Sequence, residues 1–220
     1  MNNERTIALL SQERFDKLQT ARVVLYGVGG VGGWCAEALV RSGIRLLTLI
    51  DYDRIEPSNL NRQIVALDAN IGLPKVEEMR RRLLAINPQA DIIARQEHYT
   101  GTPLPPGDGI YLIDAIDEVT PKVQLLYEAT KAGYRVFSSM GAGRRISSAS
   151  IHTGECKKVS GCPLARTLRH KMKDLQRWPE GKIQCVWADG EPDAESGTIA
   201  PVVGAFGFKL AELVINDIII

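Results

Sequence analysis

The chain has 220 residues, 45% hydrophobic and 24% charged, enough for one sizeable core, so a single domain with at most a small appendage is expected. A formal net charge of +1 excludes capture of nucleic acid by overall charge and leaves only a local basic patch for that task. No apolar run is long enough to span a bilayer, and Met1-Asn2-Asn3-Glu4-Arg5 is not a basic segment followed by an apolar one, so a cytoplasmic protein with no membrane contact is expected.

Residues 4 to 20 place Ile7, Leu9, Leu10, Phe15 and Leu18 at helical spacing, which predicts one or two short helices packing over a sheet. Arg22 to Tyr26 reads as a buried strand. Gly27-Val28-Gly29-Gly30-Val31-Gly32 turns it, Trp34 to Arg41 continues as a helix stopped by Ser42-Gly43, and Leu46 to Ile50 is a second strand ending on Asp51. This is the strand, G-x-G-x-x-G, helix pattern of a nucleotide-binding unit: the glycines allow a tight turn and close phosphate approach, and the helix N-terminus offers unpaired N–H groups. Asp51 falls where a ribose hydroxyl needs an acceptor. The pattern leaves NAD and ATP equally open. Cys35, inside the helix, reads as a buried structural thiol.

Beyond Asp51-Tyr52-Asp53 comes a polar, turn-rich insertion, Arg54 to Gln63, in which Pro57-Ser58-Asn59 reads as a helix start. It sits at the carboxyl end of a parallel strand, where ligands bind, and an Asn59 amide with an Arg62 guanidinium suits phosphate oxygens. Lys75 to Ile86 is an amphipathic helix ended by Asn87-Pro88, with Arg80-Arg81-Arg82 as a solvated face. A lysine in the first helical turn opposes the helix dipole, so Lys75 points to a nearby anion. Strands follow at Asp91 to Ala94 and Gly109 to Ile113, the latter ending on Asp114-Ala115-Ile116-Asp117. Thr120-Pro121 then opens a helix to Ala132, and Tyr134 to Ser138 is a fifth strand. The two acids after the fourth strand suit a magnesium ion between phosphates; for Asp114, capping or anchoring a loop is an equal alternative.

From Ser139 the alternation loosens. Ile146 to Ile151 reads as short antiparallel β segments, Gly161 to Arg166 leads into a basic helix, Lys182 to Trp187 is a strand, Asp189 to Ser196 an acidic mobile loop, and Ala205 to Ile218 a closing apolar helix. Cys35, Cys156, Cys162 and Cys185 form no C-x-x-C pair, which argues against a disulfide framework and a tetrathiolate zinc site. The fold class expected is α/β, a Rossmann-like doubly wound parallel sheet extended by a smaller antiparallel C-terminal part. It would form one unit over 1–220, with a nucleotide-binding half (1–138) and a substrate-binding and dimer half (139–220).

Set side by side, Gly27 to Gly32, Asp51, Asn59-Leu60-Asn61-Arg62-Gln63, Gly72-Leu73-Pro74-Lys75 and Asp114-Ala115-Ile116-Asp117 resemble the ubiquitin-activating-enzyme-like superfamily, which includes the bacterial molybdopterin- and thiamine-pathway adenylyltransferases. The resemblance implies ATP and Mg2+ in place of a dinucleotide. Gly27, Gly29, Gly30, Gly32, Asp51, Asp53 and Asn59 would line the ATP site, and Asp51 would hold the ribose. Arg62 and Lys75 would contact the phosphates and Asp117 the magnesium. Arg5 would reach into the partner's site, since members of the superfamily are typically homodimers.

Cys162-Pro163-Leu164-Ala165-Arg166 with its basic helix, and Gly197-Thr198-Ile199-Ala200-Pro201, look like the tRNA threonylcarbamoyladenosine dehydratase branch. That branch implies ATP-driven activation of a carboxylate on a tRNA adenosine, which then closes into a cyclic form. Arg144, Arg145, Arg166, Arg169 and Lys171 are the tRNA-binding candidates, with Lys157, Lys158 and Lys173 adding charge; a solvated helix face is the alternative. Zinc is not expected, because the paired C-x-x-C motifs of carrier-activating members are missing. The stretch from Val186 to Gly197 looks abbreviated, so Cys185 is not expected to act as a nucleophile. The rival reading is adenylylation of a small sulfur-carrier protein at its C-terminal carboxylate. An NAD-linked oxidoreductase would leave Arg62 and Lys75 unexplained, and a noncatalytic interaction protein is a further alternative.

Overall fold

The chain begins with two short helices, α1 (Glu4–Leu10) and α2 (Gln12–Thr20), broken at Ser11, whose φ of 77° no helix accommodates. The structure, a computed structural model, describes residues 2–220. There follow β1 (Arg22–Tyr26), α3 (Gly32–Ser42), β2 (Leu46–Ile50), α4 (Lys75–Ile86), β3 (Asp91–Arg95), β4 (Ile110–Asp114), α5 (Val119–Lys131) and β5 (Arg135–Ser139). The last part comprises β6 (Ile151–Glu155), α6 (Pro163–Leu175), β7 (Ile183–Ala188) and α7 (Ala200–Ile219).

One seven-stranded sheet runs β3-β2-β1-β4-β5-β7-β6, parallel throughout except for the antiparallel β6–β7 pair. The chain thus winds outward from β1 to β3, returns, and winds outward again from β4. The reversal opens a crevice at the carboxyl ends of β1 and β4. Strand alternation feeds two cores: Val23, Leu25, Leu47 and Leu49 point to the side covered by α3, α4 and α7, while Tyr26 and Ile50 point to the side covered by α5 and α6.

One difference from the sequence reading has a local cause. The antiparallel strand is 151–155 rather than 146–151, because Ser147 to Ser150 bring small polar side chains that favour turns, and Ser147 Oγ already accepts the Ala149 N–H. The arginines of α4 face solvent as expected, but each is also tethered. Arg80 donates to the Ile92 carbonyl at 3.0 Å, Arg81 pairs with Glu78, and Arg82 reaches Glu37 of α3 at 2.5 Å.

Glu37 is 7% exposed and is held from a second side by Arg41 at 2.8 Å, so this one carboxylate fastens α4 to α3. Burial alone would raise its pKa, but the hydrogen bonds and charges of Arg82 and Arg41 outweigh it, and the net shift is downward. A carboxylate with a lowered folded pKa contributes stability above its unfolded pKa and loses it as pH falls through the folded one. Glu37→Gln should therefore cost about 1–3 kcal/mol at neutral pH, with the gap from the parent closing below about pH 4. Urea melts at several pH values check this; a gap that stays constant down to acid pH would contradict it.

Candidate active site

The crevice opens into a cavity of 340 Å³ whose wall is made by strand ends and helix starts. Gly29 and Gly30 come from the turn after β1, Asp51 to Asp53 from the end of β2, Ala115 to Glu118 from the end of β4, and Ser139 to Gly143 from the end of β5. Val31, Lys75, Pro121, Leu164 and Val203 bring the first turns of α3, α4, α5, α6 and α7 to the same space. Converging helix N-termini favour an anionic ligand.

Asp51 organises the nucleotide end. Its carboxylate accepts the Val28 N–H at 2.6 Å and the Asp53 N–H at 2.8 Å, tying the glycine turn to the end of β2. Burial raises its pKa above the ordinary aspartate value despite those bonds and the nearby Lys75 charge. The glycines have separate reasons. Gly27 has φ +88 and a Cβ there would meet the Ala115 carbonyl at 2.7 Å, while at Gly32 a Cβ would lie 1.8 Å from the Gly27 carbonyl. At Gly29 it would meet nothing closer than Gln63 at 3.9 Å, so what this glycine preserves is cavity space.

The polar insertion is a closed loop. Ile55 N–H donates to Leu73, Gly72 N–H to Ile55, and Lys75 N–H to Asp53, while buried Ile55, Val65 and Ala66 pin it to the core. Pro57–Asn59 forms a single 3-10 turn. The Asn59 amide closes it by accepting the Glu56 N–H at 3.1 Å, and Asn59 is 6% exposed. The turn presents Arg62 at the wall. Its Nη1 donates to the Ser58 carbonyl at 2.7 Å and to Asn61 Oδ1 at 3.0 Å, and its carbonyl accepts from Trp34 Nε1.

Lys75 is 5% exposed and pairs with Asp53 at 2.6 Å, so the misfit of a lysine in a first helical turn is resolved here by an internal carboxylate. Of the two acids after β4, Asp114 is fully buried. It pairs with the equally buried Lys122 at 2.6 Å, accepts Ser138 Oγ, and takes the Ile116 N–H, while Lys122 donates to the Ile116 carbonyl. It anchors the loop. Asp117 is exposed in the wall. Among the described residues no cluster of three or more His, Cys, Asp or Glu side chains is placed to hold a metal ion.

Other candidates lie elsewhere. Arg5, on α1, is exposed and outside this wall. Arg166 and Arg169 are exposed on α6 and Lys171 is half-buried. Arg144 is exposed with φ 63. Arg145 is corrected: it is 9% exposed and donates to the Ala188 and Gly190 carbonyls, bracing the acidic loop from inside rather than offering a charge to RNA. The same loop is tied again by the Asp193 carboxylate on the Ile146 N–H.

Sequence reasoning missed three features. Gln63 is 6% exposed, lines the cavity, and its buried Oε1 has no hydrogen-bond partner among the described residues; a buried orphan in a binding wall is explained by a ligand or water. The only sequence signal was its place beside Arg62. Lys122 carried the signal that exposed Lys75, a lysine in the first turn of a helix. Tyr52, His98 and Glu118 meet at the rim, with Glu118 accepting Tyr52 Oη at 3.0 Å and lying 3.3 Å from His98 Nε2. That bond to Glu118 pushes the Tyr52 phenol up to about 12. The three come from separate strand ends, which no local pattern brings together.

A family model described as the ThiF family matches residues 2–218. The chain belongs to the ThiF family. It is 36% identical over 191 residues to the tRNA threonylcarbamoyladenosine dehydratase of Escherichia coli, covering 83% of this chain and 71% of that protein. It is 34% identical over 204 residues to tRNA threonylcarbamoyladenosine dehydratase 2 of Saccharomyces cerevisiae, covering 90% of this chain but 45% of the yeast protein, so it spans less than half of that relative. The crystal structure of the E. coli dehydratase in complex with ATP superposes with a TM-score of 0.89 at 31% identity, covering 98% of this chain and 92% of that one. The doubly wound α/β sheet with its antiparallel extension is therefore the family's fold.

Gly32→Ala should fail to fold stably, since its methyl would occupy the Gly27 carbonyl. Gly29→Ala should melt like the parent yet bind ATP about tenfold more weakly, near 1.4 kcal/mol. Thermal melts and calorimetric titration with ATP check the pair; equal behaviour of the two variants would contradict the separate roles.

Proposed function

We propose that this protein uses ATP to activate the carboxylate of a threonylcarbamoyl group on a tRNA adenosine, so that the group closes to its cyclic form with net loss of water. The observation that carries this reading is the lining of the cavity at the crevice. One end has the glycine turn, Asp51 and Arg62; the other has Ser139 to Gly143, Leu164 and Thr198, contributed by the C-terminal half that also holds the basic helix α6. The likeness to dehydratases over most of the chain supports the same substrate.

In this reading Asp51 accepts the ribose hydroxyls with its remaining lone pairs. The backbone of Gly29 and Gly30, the free edge of Arg62 and the ammonium of Lys75 take the phosphates, with Gln63 beside them. Asn59 serves at one remove, by closing the turn that presents Arg62. Charge builds on the transferring phosphorus as the carboxylate attacks, and pre-placed cations stabilise it more than they stabilise bound ATP. The mixed anhydride then meets a nucleophile tethered to the same group, which makes ring closure fast. Asp117, the exposed acid in the wall, would hold a magnesium ion, which would offset the charge of the phosphates there.

The 139–220 half supplies the tRNA surface through Arg144, Arg166, Arg169 and Lys171. A homodimer would bring Arg5 of α1 to a neighbouring site, and the exposed Leu9 on the same helix, 82% accessible, would be covered by it. Among the described residues no helix is long and apolar enough to cross a membrane, in keeping with work on tRNA in the cytoplasm.

Incubation with ATP and threonylcarbamoyladenosine-containing tRNA, followed by nucleoside digestion and mass analysis, should show the cyclic nucleoside. ATP–pyrophosphate exchange that needs a sulfur-carrier protein, with tRNA unchanged, would overturn this in favour of the carrier reading. Arg62→Ala should lower turnover about 10²–10³-fold. Arg166→Ala and Arg169→Ala should each reduce the salt dependence of tRNA binding by about one unit of slope while leaving ATP affinity intact. Normal turnover by Arg62→Ala would undo the site assignment.

A further inference from the structure

Three of the four cysteines gather in the antiparallel extension, where the ATP reading gives them no task. Cys162 and Cys185 are buried in the α5–α6 core, and Cys156 packs partly buried against the same core. Strand register sets Asp114 opposite Ser138, Ser138 opposite Cys185, and Cys185 opposite Gly154, two residues before Cys156. The row places Cys185 on β7, next to the edge strand β6, and Cys156 at the start of the turn 156–158 that leaves β6. Both cysteines pack in the same core, and Cys156 follows Glu155, whose strand partner Gln184 adjoins Cys185.

The two sulfurs differ in access and in charge. Cys185 is 0% exposed, whereas Cys156 is reachable from solvent. Arg169 of α6 bonds the Val159 carbonyl and so straps the turn, while the Val159 N–H closes it onto the Cys156 carbonyl. The Cys185 side chain lowers the Cys156 pKa most, burial opposes it, and the charges of Arg169 and Lys122 lower it further against Asp114; the net shift is downward. Lys157 is drawn to Glu155 at 2.8 Å instead. The Cys156 side chain and complete burial push the Cys185 thiol well up. The accessible sulfur is thus the one whose pKa is lowered and the buried one the one whose pKa is raised, the division a reacting and a resolving cysteine need.

We propose that Cys156 and Cys185 form a site of reversible oxidation that closes to an intramolecular disulfide on exposure to a hydroperoxide. The Cys156 thiolate attacks one peroxide oxygen, the O–O bond breaks, and hydroxide leaves to take a proton from solvent as water. The Cys156 sulfenic acid is then attacked by Cys185, the S–O bond breaks, and the sulfenic oxygen leaves as a second water with the Cys185 proton. Two thiols lose two electrons and two protons, and the peroxide is reduced to two waters. The site adjoins the nucleotide cavity, because Val186, next along β7, accepts the N–H of the wall residue Met140 at 2.8 Å.

The full-length protein, treated with hydrogen peroxide under native conditions and mapped by mass spectrometry, should join the Cys156 and Cys185 peptides within one chain, reversibly with dithiothreitol. In Cys185→Ser a sulfenic acid should be trapped by dimedone on Cys156, about tenfold faster than on the buried Cys35. Cys162→Ala should leave the link unchanged and controls for damage to the core. A disulfide through Cys162, a link between chains, or Cys156 reacting no faster than Cys35 would overturn the proposal.

Discussion

The site depends on a buried carboxylate that accepts two backbone N–H groups from different segments. Asp51 holds the Val28 N–H of the glycine turn with one oxygen and the Asp53 N–H with the other. Its raised pKa marks the cost: burial disfavours the charge more than the two N–H bonds and Lys75 favour it. By linkage, a carboxylate whose folded pKa exceeds its unfolded one reduces stability as pH rises between them, so at neutral pH Asp51 works against the fold. A charge retained at such a position fits a binding role better than a structural one. The same carboxylate that shapes the glycine turn is the acceptor proposed for a ribose.

Around this clamp, charge is placed in layers. Deepest lies the Asp114–Lys122 pair, fully buried and satisfied by Ser138 and both backbone groups of Ile116, which fixes the loop carrying Ala115 to Asp117. That loop abuts Gly27 so closely that no side chain fits between them. The next layer is Lys75 with Asp53, and outermost is Arg62, braced through Nη1 with the rest of its fork free. Because Asp53 occupies Lys75 through a single oxygen, arriving phosphates can share the ammonium without unburying it. The buried layers position the site, and the outer one is the layer proposed to meet the ligand.

Much of this was legible in the sequence. β1, β2 and α4 fall where apolar runs, Gly43 and Asn87-Pro88 put them, because local chemistry decides their ends. Gly27, Asp51, Lys75 and Asp117 were legible as wall residues because each sits at a strand end or helix start, and Arg62 because the polar insertion that carries it follows a strand end. What escaped depended on tertiary contact. Asn59 reads as a ligand residue by type but is consumed by its own turn, Arg145 reads as surface charge but is bound to carbonyls within, and the Tyr52–His98–Glu118 meeting joins strand ends far apart in the chain. Residue type shows what a side chain can do, and burial decides which partner it finds.

The central claim is that Asp51 both shapes the glycine turn and binds the nucleoside. An amide in its place has one acceptor oxygen, so Asp51→Asn must leave the Val28 or the Asp53 N–H unpaired and offers the ribose a weaker partner. Calorimetric titration of ATP into the parent and Asp51→Asn at neutral pH tests this most directly. The account predicts saturable binding by the parent and a folded variant at least about tenfold weaker. Equal ATP affinity in the two proteins would contradict it.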